Sequence, residues 1–347
     1  MITALKKILN ENTIPLFSFF HSLGVLKITS PFFYQQYLKE RINLKLTDID
    51  ELAAQIPLLA FMLTTPELNK SNDWYGHAAC LKKYCEYNDN YTTKAVIEHG
   101  ADIGPPWDRD IESQFPVFIA FGTNCHVYLK NVSKKVYTIG PFIHYAPHIL
   151  SPIQLTSEKR RLKKNLLVFP SHSTTATNTS YNIKAFCNKL ISMKQNFDSI
   201  RICLYWKDVS NGVDKVYRNN GFECVTAGHI FDPLFLSRLK SIIETSTVTM
   251  SNNIGTHLGY CICMNKPHYF FQQQLDFKGN VDKEIKIIKT IEKSDIYEKL
   301  KKACGTYSET ISKQQYDLVN LCWGLDQIKT KGELRQIFDE AERLYRK

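Results

Sequence analysis

The sequence predicts an α/β protein built on parallel sheets buried on both faces, and three observations carry this expectation. Runs such as Phe115–Gly122 and Asn165–Pro170 are continuously apolar, without the in–out alternation of a strand that has one wet face. Stretches of helical length separate most of these runs, as crossovers between parallel strands require. At 347 residues and 44% hydrophobic, the chain has material for about two domains of ordinary size.

The elements follow in order. The first ~70 residues read as helices and loops. A helix starts at Asp48-Ile49-Asp50-Glu51, where acids complement the positive end of the helix dipole. A second helix covers Asp73 to Tyr84. Lys94–Ile97 is a short buried strand that stops at Glu98-His99-Gly100. Phe115–Gly122 is a strand, Thr123–Leu129 a helix and Lys135–Gly140 a third strand. The basic, polar stretch Ser151–Lys164 reads as the domain boundary. It divides the chain into an N-terminal unit 1–155, an α/β unit 156–280 and a helical segment 281–347.

Beyond the boundary the alternation is cleaner. Strands are expected at Asn165–Pro170, Ser199–Trp206, Phe222–Ala227, Ser246–Ser251 and Lys266–Phe271. Helices are expected near 181–195, over 213–220 with Gly221 as its stop, and over Ile254–Met264. Another opens at Asp232-Pro233, with Asp as N-cap and Pro in the first turn, and runs to about Glu244. This is the pattern of a doubly wound α/β unit. The segment from Asp282 is helical. Its last helix, Gly332–Tyr345, puts Leu334, Ile337, Phe338, Ala341 and Leu344 on one face.

Composition narrows the function classes. The net charge of +10 suits nucleic acid, an anionic membrane surface or a phosphate-bearing substrate. No RNP motif, zinc finger or long basic helix accompanies it, so no nucleic-acid partner is expected. The ten cysteines form no CxxC pair and read as free buried thiols in a reducing compartment. The N-terminus lacks the apolar core of a signal peptide, and no run of ~18 apolar residues spans a membrane. The expectation is a cytoplasmic protein, at most peripheral on the inner face of the cytoplasmic membrane.

Doubly wound sheets bind ligands beyond the carboxyl ends of their strands. Those ends carry Ser171-His172-Ser173, Trp206-Lys207-Asp208, Gly228-His229-Ile230-Phe231 and Asn252-Asn253-Ile254-Gly255-Thr256-His257. The last leads from a strand directly into a helix. Free backbone N–H groups, the helix dipole and Thr256 meet there at a natural anion site, which Gly255 lets a phosphate approach. The same turn also suits Ser251 or Asn253 as a plain N-cap. His172 suits either an anion contact or a loop hydrogen bond to Ser173 or Thr175. No GxGxxG, Walker, GxSxG or HExxH motif is present.

From Asn165 to Phe271 this order of strands, polar loops and helices is similar to the donor-binding domain of GT-B glycosyltransferases. Within them the chain resembles bacterial surface-polysaccharide and teichoic-acid polymerase-like transferases. In those, an N-terminal His-Gly lies at the domain cleft and a Ser/Thr-rich turn holds the donor phosphates. His99-Gly100 and Ser251–His257 match these places, while Trp206-Lys207 stands where many members have His-Pro. The resemblance implies two Rossmann-like domains with parallel sheets facing across a cleft, followed by C-terminal helices. It implies a transferase moving a sugar from a nucleotide-sugar donor to a glycan or lipid-linked acceptor, in capsule or O-antigen biosynthesis.

Glycosyl transfer needs a base for the acceptor hydroxyl and neutralisation of the leaving phosphate. His99 is the expected base, with Glu98 as its orienting partner or the base itself. A loop-packing role suits His99 equally. Donor phosphates are assigned to Ser171, His172, Ser173, Lys207, Asn252, Asn253, Gly255, Thr256 and His257. The nucleobase is assigned to Gly228, His229, Ile230 and Phe231, which suit an ordinary connection as well. Asp48-Ile49-Asp50 and Asp108-Arg109-Asp110 mimic a metal-binding DxD but follow no strand and read as solvated acids, so no metal or cofactor is expected. Three further readings are a nucleotide-sugar 2-epimerase, which needs more acids than Glu98 and Asp102, a binding protein without catalysis, and a basic RNA-binding protein.

Overall fold

The computed structural model describes residues 38–54, 67–88, 91–101, 103–104, 108–130, 132–174, 177–279, 286 and 289–347. Asp102, Thr175, the expected start of the helical segment at Asp282 and most of the N-terminal helical stretch lie outside them.

A first parallel sheet contains β1 (Ala95–Ile97), β2 (Val117–Ala120) and β3 (Lys135–Thr138), in that spatial order. Successive side chains of a strand face opposite ways. Ile97, Val117 and Ile119 accordingly enter one hydrophobic cluster, and Val96, Phe118 and Ala120 another. Both faces of β1 and β2 are buried, which is why these runs carry no alternation.

The second sheet is five-stranded and wholly parallel. It comprises β4 (Asn165–Phe169), β6 (Ser199–Cys203), β7 (Glu223–Val225), β8 (Val248–Ser251) and β9 (His268–Phe270), ordered β7-β6-β4-β8-β9. The chain builds outward from β4 to β7, then returns to the other side of β4 for β8. The crevice between the ends of β4 and β8 is therefore the switch point of the sheet. Leu166, Val168, Ile202 and Met250 pack on one face, and Leu167, Phe169, Cys203 and Val225 on the other. The polar segments β5 (Thr177–Ser180) and β10 (Asp276–Gly279) add an antiparallel ribbon beside it.

Helices in chain order are α1 (Ile49–Ala53), α2 (His77–Tyr84), α3 (Asp108–Ile111), α4 (His126–Leu129), α5 (Pro152–Leu162), α6 (Ile183–Met193), α7 (Trp206–Ser210), α8 (Val213–Asn219), α9 (Phe235–Glu244), α10 (Thr256–Cys263), α11 (Asp295–Cys304), α12 (Lys313–Trp323) and α13 (Lys331–Tyr345). The stretch 151–164, read from the sequence as a domain boundary, is largely helical. It is the helix α5, started by a reciprocal Ser151–Gln154 capping box with Pro152 in its first turn. Three of the five cations in 151–164 are in ion pairs, Lys159 with Glu244, Arg161 with Glu158 and Glu223, and Lys164 with Glu309. The expected helix start at Asp232-Pro233 lies in the turn that leads into α9, whose first residue is Phe235. The Asp232 carboxylate accepts from Leu234 N–H at 2.9 Å in that turn, and also from Arg41 at 2.6 Å and Arg238 at 2.8 Å in a buried cluster.

That cluster ties the N-terminal segment to the second sheet, across 191 residues of sequence. Thr226 N–H donates to Leu46 O at 3.3 Å and His229 N–H to Leu52 O at 2.9 Å. Ile49 and Ala53 join the core of the second sheet, although they precede the first sheet in sequence. The last two helices run the other way, back to the first sheet. On α13, Glu340 meets Lys135 and Tyr137, and Tyr345 stacks on Phe115 with centroids 5.6 Å apart. Leu334, Ile337, Phe338 and Ala341 of α13 are buried. On α12, fully buried Trp323 lies directly over Gly259 of α10. Among the described residues no helix is long and apolar enough to cross a membrane.

Candidate active site

A cavity of about 260 Å³ lies between the carboxyl ends of the two sheets. The first sheet contributes His99 and Gly100, just past β1. The second contributes Phe169, Pro170 and His172 after β4, Leu204 and Tyr205 after β6, Ala227 after β7, and Asn253, Gly255, Thr256 and His257 after β8. Tyr75 and His77 enter from the segment leading into α2, Tyr260 from α10, and Phe235, Leu236 and Leu239 from α9. The two sheet edges meet directly. Ala101 N–H donates to Thr256 Oγ1 at 3.0 Å, and a Cβ on Gly100 would sit 3.1 Å from the same oxygen. Gly100 thus admits the Thr256 hydroxyl at close range.

His99 is held by neighbours that differ from the expectation. Its Nδ1 faces the Asp110 carboxylate at 3.6 Å, and Trp74 meets its ring edge-on with centroids 5.2 Å apart. The Asp110 side chain is 3% exposed, so this member of the second DxD-like pair is buried beside the cavity and is not a solvated acid. Asp110 also accepts from the Ser71 hydroxyl at 3.3 Å. Glu98, the expected partner, is adjacent on an extended chain and points the other way. Its carboxylate accepts from Phe121 N–H at 2.8 Å and serves the first sheet.

The turn after β8 is pinned from beneath by His268, a buried residue of β9. Its Nε2 lies 2.9 Å from Ser251 Oγ and its Nδ1 2.8 Å from Thr249 Oγ1. Ser251 Oγ in turn donates to Asn253 O at 2.6 Å. Ser251 is therefore a brace within the turn. The helix α10 begins immediately after, at Thr256.

The imidazoles around this turn are held neutral. Burial pushes His257 down to about 3, with nearby His172 adding to the effect. Burial likewise lowers His172, and pushes His77 down to about 3 with a contribution from His99. His172 Nδ1 donates to Ser173 O at 3.3 Å, and its ring packs on Tyr205 at 4.2 Å. His257 stacks on Phe169 at 5.0 Å. Four residues that line this cavity carry a buried polar atom without a hydrogen-bond partner among the described residues: His77 Nδ1, Asn253 Oδ1, His257 Nε2 and the Tyr260 hydroxyl. Such atoms are costly in a fold, and others lie away from the cavity, among them Asn69 Nδ2 and the Trp323 indole nitrogen.

Of the assigned phosphate ligands, His172, Asn253, Gly255, Thr256 and His257 line the cavity. Ser171, Ser173, Asn252 and Lys207 do not. Ser171 N–H donates to Asn252 Oδ1 at 2.6 Å, and Ser173 N–H to Asp208 Oδ1 at 3.2 Å, so these residues lock the loops together. Lys207 lies over the Trp206 ring. The loop Gly228–Phe231 is also off the cavity. Gly228 has φ +106° beside Arg238 and Leu52, His229 packs on Trp206 at 4.2 Å, and Ile230 O accepts from Tyr75 N–H at 2.6 Å. The segment 41–53 covers this loop. Tyr75, His77, Asp110 and Tyr260 were missed because their neighbours are remote in sequence. The DxD pattern drew attention to Asp110, but for a metal.

Among the described residues no group of three or more His, Cys, Asp or Glu side chains is arranged to hold a metal ion. No protein-family model matches the chain, and no curated protein matches it.

Proposed function

We propose that this protein is a GT-B-like glycosyltransferase that moves a sugar from a nucleotide-sugar donor to an acceptor hydroxyl within this cavity. One observation carries the reading. A histidine beyond a strand of the first sheet and a helix N-terminus beyond the switch-point strand of the second line the same cavity, joined through Thr256 and Ala101. The two chemical needs of glycosyl transfer thus meet at one place.

In this reading the donor's phosphate sits at the turn Asn253–His257, where backbone N–H groups and the dipole of α10 favour an anion. His99 takes the proton of the acceptor hydroxyl as its oxygen attacks the anomeric carbon. The bond from that carbon to the phosphate oxygen breaks, and the nucleotide leaves with the electron pair. Asp110 faces Nδ1 and fixes the ring, so that Nε2 is the proton acceptor. A glycan or lipid-linked acceptor of surface polysaccharide enters from the first-sheet side, and the work takes place in the cytoplasm or at the inner membrane face.

The test is release of nucleotide from UDP-, GDP-, CDP-, dTDP- and CMP-linked sugars, with EDTA present throughout. At least one donor should be turned over slowly by water alone and faster with an acceptor. Absence of turnover and of binding across all five would overturn the reading.

A further inference from the structure

We propose that the apolar end of the cavity seats a planar heteroaromatic ring, the base of a nucleotide, and that Tyr75 is the platform on which it stacks. The inference rests on reading the cavity as a nucleotide-sugar site, and it moves the base away from the loop Gly228–Phe231.

The cavity has a polarity. It crosses the carboxyl ends of β8, β4, β6 and β7, which lie side by side. At ~4.8 Å between neighbouring strands this is a run of ~14 Å. The β8 end carries the polar turn and the start of α10. The β7 end is walled by Leu204, Ala227, Phe235 and Leu236. A ligand with an anion at one end and a flat apolar ring at the other matches this gradient. The loop after β7 cannot take the ring, because residues 41–53 cover it through Leu52 O and the Arg41–Asp232 pair.

Tyr75 stands at the apolar end in an unusual backbone state, with φ 56° and ψ 14°, in the left-handed region that disfavours aromatic residues. Two contacts hold it there. Its N–H donates to Ile230 O at 2.6 Å. The next residue, Gly76, also has positive φ and lies so close to Pro233 that a Cβ would sit 2.5 Å from its carbonyl oxygen. Strain of this kind persists where surrounding contacts enforce it, and here it directs an aromatic ring to the cavity wall. Phe235 meets that ring edge-to-face at 5.1 Å, and the Tyr205 hydroxyl lies 3.5 Å from its own. Both contacts fix the ring plane. Since Tyr75 precedes the first sheet and Phe235 follows β7, a stacked base would bridge both parts of the protein.

Saturation-transfer NMR on the wild-type protein with UDP, GDP, CDP, dTDP and CMP tests this without mutation. For each nucleotide that binds, base protons should be saturated more strongly than ribose protons. Tyr75→Phe should bind such a nucleotide within about twofold of wild type, whereas Tyr75→Leu should lose about tenfold or more. Inorganic pyrophosphate, used as a competitor, should bind both variants alike. If no nucleotide binds the wild type, the glycosyl-transfer reading falls and the platform with it. If a nucleotide binds with its base unsaturated, or equally to Tyr75→Leu, the platform alone is overturned. Equal loss of pyrophosphate binding in Tyr75→Leu also overturns it.

Discussion

Asp232→Asn should destabilise the fold by about 3–5 kcal/mol, the cost of removing one partner from a buried ion pair. The Asp232 and Arg238 side chains have no solvent exposure and Arg41 has 8%. Burial opposes the charge on the carboxylate, but Arg238 and Arg41 outweigh it and hold its pKa below the usual carboxylate value. An amide keeps the shape but leaves two guanidinium groups facing a neutral side chain. The loss should also free the segment 41–53, whose hydrogen bonds to Thr226 and His229 depend on this anchor. Equilibrium urea denaturation at pH 7 measures the first effect, and limited proteolysis near residues 38–54 the second. The pH dependence supplies a check of sign. With a depressed folded pKa, the wild-type contribution is complete above the unfolded value, about 3.9, and is lost as pH falls through the folded one. The variant should therefore differ from wild type by a constant amount from pH 5 to 8. A cost under about 1 kcal/mol would refute the reasoning, because it is the size expected of an exposed pair.

Gly259→Ala should cost about 1–3 kcal/mol in urea denaturation, since its Cβ would lie 2.1 Å from the Trp323 ring. Tyr260→Phe should raise stability by about 1 kcal/mol, because it removes a buried hydroxyl that has no partner among the described residues; a fall would mean the hydroxyl is satisfied. Acidification should destabilise the protein through His77. Its folded pKa, about 3, lies below the unfolded 6.5, so stability is complete above pH 6.5 and falls below it. At pH 5 this amounts to about 2 kcal/mol, and His77→Gln should remove that part of the difference between urea curves at pH 7 and pH 5.

The central strands were legible because they are short, apolar on both faces and separated from the next by a helix or loop; Leu166–Phe169 and Val117–Ala120 are clear cases. The start of α10 was legible because a polar turn led straight from β8 into a helix. The ribbon of Thr177–Ser180 with Asp276–Gly279 was not, because its strands are polar and owe their form to each other. The embrace of Asp232 by Arg41 and Arg238 was also hidden. Sequence rules saw a helix cap in Asp232-Pro233, and no local pattern points 191 residues away. The partner of His99 was missed for a related reason. Adjacent Glu98 was the obvious candidate, yet strand geometry turns it away, and only the packing of α3 brings Asp110 within 3.6 Å. Local chemistry is written in neighbouring residues, whereas the walls of a cleft are assembled by the fold.

The most direct test of the proposed chemistry separates binding from turnover at His99. Once a donor is identified, nucleotide affinity and kcat should be measured side by side for wild type and His99→Ala. Loss of a general base should lower kcat by about 10²–10⁴-fold and change nucleotide Kd by less than about twofold. Near-normal kcat in a folded His99→Ala protein would contradict it.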